Sequence, residues 1–67
     1  SLRMREYILT GKIQSITDDQ LLLANIPVQL TPQTLIMGIP SPGNQAQVIL
    51  RRSYNGQLHA RLIEILP

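Results

Sequence analysis

Six basic and four acidic side chains, one histidine and no cysteine are what this chain offers for chemistry. A zinc site needs three or four ligands. His59 can draw only on Glu6, Asp18, Asp19 and Glu64, and Asp18-Asp19 reads more simply as a turn, because Asp side chains accept bonds from downstream backbone amides. Acid–base catalysis needs two acids in a sheltered cleft, whereas these four fall at turns and strand ends. Ser15, Ser41 and Ser53 have no evident histidine partner that would make a nucleophile. Gly38 and Gly43 have the spacing that opens a phosphate loop, but Asn44-Gln45 stand where Lys-Ser/Thr would be needed. Pro40 and Pro42 remove two of the amides such a loop would use. The expectation is a chain with no catalytic residues, no metal and no cofactor, hence no enzyme.

The charges are more informative as a surface. Net charge is +2, and no charged residue lies between residues 20 and 50. Lys12, Arg51, Arg61 and, less directly, Arg5 are candidates for one basic surface, which with His59 forms the predicted ligand-binding set: Lys12, Arg51, His59 and Arg61. The uncharged span holds Leu22, Ile26, Ile36 and Ile39, more aliphatics than a small interior can take. These four are the predicted interface, since exposed apolar patches and strand edges mark contact surfaces.

The elements that must position these residues are strands. Tyr7, Leu9, Gly11 and Ile13 alternate with Ile8, Thr10, Lys12 and Gln14, a period of two, so Tyr7 is expected in the core. Leu21 to Leu23 reads as a short buried strand, Asn25 as a tight reversal, and Ile26 to Leu30 as a third strand. Pro27 lacks an N–H and predicts an edge or a bulge there. Thr31-Pro32-Gln33-Thr34 allows at most one helical turn. Leu35-Ile36-Met37 is a short apolar stretch, and Gly38 to Asn44 is a loop.

Asn55-Gly56 marks the last hairpin. A two-residue Asn-Gly turn would place Leu50 opposite Arg61, mixing core and charge on one face. A three-residue loop, Tyr54-Asn55-Gly56 with a left-handed Gly, separates them. It puts Ala46, Val48, Leu50 and Arg52 with Leu58, Ala60, Leu62 and Glu64. Gln47, Ile49, Arg51 and Ser53 then share the other face with Gln57, His59, Arg61 and Ile63. The three-residue loop is the expected register.

Sixty-seven residues make one small domain, which buries only about 60% of the surface its unfolded chain exposes. The chain starts at Ser1 without Met, so residues 1–6 are expected to be an N-terminal segment that is in part, at Ser1-Leu2, a cloning remnant, and residues 7–66 a single barrel domain of a larger protein. No apolar run exceeds Leu21 to Ala24, so no membrane insertion is expected of this segment. Gly11, a poor strand former in mid-strand, is explained if the first strand of a small barrel bends sharply and another backbone approaches it closely. The fold class expected is all-β, a small five- or six-stranded barrel.

The run YILTGKIQSITDDQLLLANIPVQLTPQTLIMG, followed after a loop by QAQVILRRSYNGQLHARLIEI, resembles a family of small bacterial domains of unknown function with an oligonucleotide/oligosaccharide-binding-like barrel (OB-like). Gly11, Ile13 and Ile16 match its first element, and Thr34 and Ile36 its middle one. Gly43, Val48 and Leu50 match the fourth, and Leu58, Ala60, Ile63 and Ile65 the last. GIPSPGN replaces a shorter turn. The resemblance implies a non-catalytic accessory module of larger proteins, with an extracytoplasmic or cell-envelope location favoured. A protein partner or self-association is the first expectation. Weak binding of single-stranded nucleic acid or another polyanion is the alternative, against which stands the lack of any aromatic except Tyr7 and Tyr54.

Overall fold

The computed structural model describes residues 5–67; Ser1-Leu2 and Arg3 lie outside them. Six strands follow in chain order: β1 (Glu6–Ile16), β2 (Gln20–Leu23), β3 (Ile26–Gln29), β4 (Leu35–Met37), β5 (Gln45–Arg52) and β6 (Leu58–Ile65). They form one sheet in the order β3-β2-β1-β5-β6-β4, and a further parallel bridge, Gln29 to His59, joins β3 to β6. That bridge turns the sheet into a barrel-like ring, and the fold is all-β. No helix of the described residues is long and apolar enough to cross a membrane.

β1 carries the curvature. Glu6 to Lys12 pair antiparallel with β5, while Ile13 to Ile16 pair with β2, so the strand changes partner after Lys12, one residue beyond Gly11. Gly11 faces the β2–β3 turn, where Ala24 and Asn25 both have positive φ, 50° and 66°. A Cβ on Gly11 would lie 2.9 Å from the Cβ of Ala24, so the missing side chain is what lets the turn close against β1. Gln14 is an extra residue in the β1–β2 ladder, and its side chain clamps the same turn: Nε2 donates to Asn25 Oδ1 at 2.8 Å and Oε1 accepts from the Asn25 amide. Pro27 sits in β3 with β2 on one side, and on its other side β6 meets β3 only at Gln29. The proline therefore occupies an edge, where its missing N–H costs no ladder bond.

Thr31 to Thr34 form a hydrogen-bonded turn rather than a helix. The Thr34 amide donates to the Thr31 carbonyl, and Thr34 Oγ1 donates to the Ala60 carbonyl on β6 at 2.6 Å. This tie lets β3 and then β4 dock in succession along the same edge of β6. The core inside the ring is Ile13, Leu21, Leu23, Val28, Ala46, Val48, Leu50, Ala60 and Ile63.

Two expectations about faces need correction. The hairpin does close with the three-residue loop: the Ser53 amide donates to the Gln57 carbonyl, Gly56 has φ +83°, and Arg52, Arg51 and Leu50 oppose Leu58, His59 and Ala60. Beyond that point a bulge at Arg61 shifts the register, so Ile49 opposes Leu62 and Val48 opposes Ile63. A one-residue shift exchanges faces. Ile63 is therefore fully buried, Leu62 half-buried and Glu64 exposed, the reverse of the uninterrupted alternation. Tyr7, expected in the core, is 39% exposed. It follows the alternation of Leu9 and Ile13 but lies beyond the end of the core, with the Arg52 guanidinium 5.8 Å from its ring centroid.

Candidate functional site

Cross-strand pairing builds the basic face. Glu6 on β1 opposes Arg51 on β5, and Arg51 opposes His59 on β6, so three strands set these side chains in one row. Such neighbours stand about 4.8 Å apart from strand to strand. Arg61, two residues beyond His59, belongs to the same cluster: its side chain spans β5 to reach β1. Glu6 Oε2 accepts from Arg51 Nε at 3.0 Å and from Arg61 Nε at 2.7 Å. One carboxylate oxygen thus holds two guanidiniums. Among the described residues, neither guanidinium makes a hydrogen bond through its terminal Nη atoms.

Of the four basic-face residues expected from the sequence, Arg51, His59 and Arg61 come together and Lys12 does not. Lys12 opposes Gln45 at the other end of the β1–β5 ladder, six residues from Glu6, which is roughly 20 Å of strand. Glu6 is the residue the sequence reading missed. Its role depends on the β1–β5 register, which joins segments about forty residues apart with no turn between them to signal the pairing.

Arg51, His59 and Arg61 line an open groove of about 390 Å³. Gln29, Thr31 and Gln33 line it as well, brought beside His59 by the β3–β6 bridge and the Thr34 tie. Ser53 also lines it, but its Oγ is turned to Asn55 Oδ1 and the Gln57 carbonyl. The His59 imidazole is its one ring, with no Phe, Tyr or Trp, and its one aliphatic residue is Ala60. A second, larger groove of about 540 Å³ runs between the β2–β3 hairpin and the last turn. It carries one charge of each sign, Asp19 and Arg52, and both are engaged: Asp19 accepts from Thr17 Oγ1, and Arg52 donates to the Gly56 carbonyl. Among the described residues no three His, Cys, Asp or Glu side chains gather where a metal ion could bind.

The ion pairs perturb Glu6. The hydrogen bond from Arg51 is the largest influence and holds its carboxyl below the ordinary 4.5; desolvation opposes this, and the charge of Arg61 adds to the lowering. A carboxylate with a lowered folded-state pKa contributes stability that is complete above the unfolded value and is lost as pH falls through the folded one. We therefore expect the Glu6 carboxyl ¹³C signal to titrate below 4.5, and its midpoint to rise in Arg51→Gln. An unchanged midpoint in that variant would show that Arg51 does not set it.

The predicted interface residues divide. Ile36 and Ile39 are 43% and 81% exposed, and they adjoin Leu35 and Met37, at 63% and 56%, on and just after β4. Leu22 and Ile26 are half-buried on the β2–β3 hairpin, and Ile26 packs on the core. The interface candidate is thus β4 with Ile39, a strand paired on one side only. No protein-family model matches the chain, and no curated protein and no solved structure matches it.

Proposed function

We propose that the chain is a non-catalytic interaction module, a domain of a larger bacterial protein, that docks through its β4 edge. The observation carrying this reading is the set of exposed aliphatics Leu35, Ile36, Met37 and Ile39 on a strand whose second edge is unpaired. Unpaired edges and contiguous apolar patches are sites of association. The partner is a second copy of the chain. A two-fold interface sets one patch against itself, and the β4 residues of this one lie in the span from 20 to 50 that carries no charge, with exposed Glu64 of β6 beside Met37 at its margin. The OB-like reading is supported by the ring order, in which β1 lies between β2 and β5 and β3 runs parallel to β6.

Sedimentation velocity over a hundredfold concentration range tests this. The weight-average mass is expected to rise with concentration, and the double substitution Ile36→Lys, Ile39→Lys to abolish the rise while leaving the fold intact. A mass fixed at one chain throughout would sink the proposal.

A second reading, binding of an anionic polymer, is favoured by the convergence of Arg51, His59 and Arg61 on one groove. Single-stranded nucleic acid is the weaker form of it, since that groove offers no Phe, Tyr or Trp for bases to stack on, only the His59 imidazole.

A further inference from the structure

We infer that the groove lined by Arg51, His59 and Arg61 together with Gln29 and Gln33 is a site for an acidic saccharide. The inference rests on the anionic-polymer reading and names its ligand class. The anionic group would meet the two guanidiniums. Each is held at Nε by Glu6 Oε2, which fixes the planar fork and leaves its Nη donors unspent among the described residues. A fork held in place before binding loses less entropy when it binds and suits the planar geometry of a carboxylate. Glu6 is in this sense a positioning residue.

The two glutamines suit hydroxyl groups. The side-chain amides of Gln29 and Gln33 make no hydrogen bond among the described residues, and each can both donate and accept, as a sugar hydroxyl requires. His59 adds an imidazole beside Arg51. What is missing is equally selective. No Phe, Tyr or Trp lines the groove, and a nucleobase would find only the His59 imidazole to stack on. No apolar pocket deeper than Ala60 is present to take an aliphatic side chain, so an acidic peptide would gain nothing beyond its charge.

The test is an amide-resolved NMR titration of the full chain with tetragalacturonate, a carboxylated saccharide, at low and moderate salt. Shifts are expected at Gln29, Gln33, Arg51, His59 and Arg61, fading as salt screens the charge. Arg61→Lys keeps the charge but loses the fork, and should weaken binding about tenfold. Gln33→Ala, which leaves every charge in place, should also weaken it. Lys12→Gln, a charge removed far from the groove, should change binding little. The inference is overturned if neutral tetragalactose binds equally well, if Arg61→Lys and Gln33→Ala bind as the parent does, or if hexaglutamate binds at least as tightly. An oligothymidylate that binds more tightly than the saccharide would overturn this inference while sparing the anionic-polymer reading. Binding of none of these anions would end both.

Discussion

Ile63→Ala should leave the domain largely unfolded at 25 °C, whereas Leu62→Ala, its immediate neighbour, should not. Ile63 is fully buried among Val48, Leu50 and Ala60, and removing an aliphatic side chain to Cβ at such a site costs about 2–5 kcal/mol. A domain of this size holds only about 3–5 kcal/mol of net stability, with no disulfide to add to it. The loss therefore matches the whole. Leu62 lies half-buried on the outer face, so its truncation should cost about 1 kcal/mol. Urea denaturation followed by circular dichroism reads both. Equal losses, or a larger one at Leu62, would mean that β6 runs without its bulge and that Ile63 faces out.

This contrast falls where reading the sequence stopped being sufficient. The hairpin loop was legible because only one of two loop lengths separates core from charge, and the chemistry of Asn55-Gly56 permits it. From the loop to Leu50 and Ala60 the register followed. The bulge at Arg61 was harder, because it needs no glycine and so leaves no residue of its own to find. Its trace is an interval: Leu58 to Ala60 is two, Ala60 to Ile63 is three, and Ile63 to Ile65 is two again. Leu62, apolar and adjacent, conceals the skipped step. The basic face divides in the same way. Arg51 and His59 were brought together by a register counted outward from a turn. Glu6 and Lys12 depended on a long-range pairing of β1 with β5 that no local signal announces. Tyr7 shows a third limit: alternation identifies the face of a strand, but not where along the strand the core ends.

Gly11→Ala should destabilise the domain by about 1–3 kcal/mol, and Ala24→Gly should restore most of that loss. In mid-strand, alanine is ordinarily the better residue, so a glycine that merely weakened β1 would yield a gain on substitution. The geometry predicts the opposite sign. The new Cβ would meet the Ala24 Cβ at 2.9 Å, and a contact that short in a packed sheet is relieved only by moving backbone. The β2–β3 turn has little freedom to move, since the Ala24 amide is bonded to the Lys12 carbonyl and Gln14 grips Asn25. Removing the Ala24 methyl takes away the obstacle, and the next nearest atom of that residue lies at 3.8 Å, an ordinary contact. Ala24→Gly alone should be close to neutral or mildly stabilising, because Ala24 sits at φ 50°, where glycine is at home. The two substitutions should therefore be non-additive, with a coupling of about 1–2 kcal/mol in a double-mutant cycle measured by urea denaturation. Additive effects would mean that Gly11 and Ala24 do not share the space that lets β1 pass from β5 to β2. The bend that closes the ring would then need another cause.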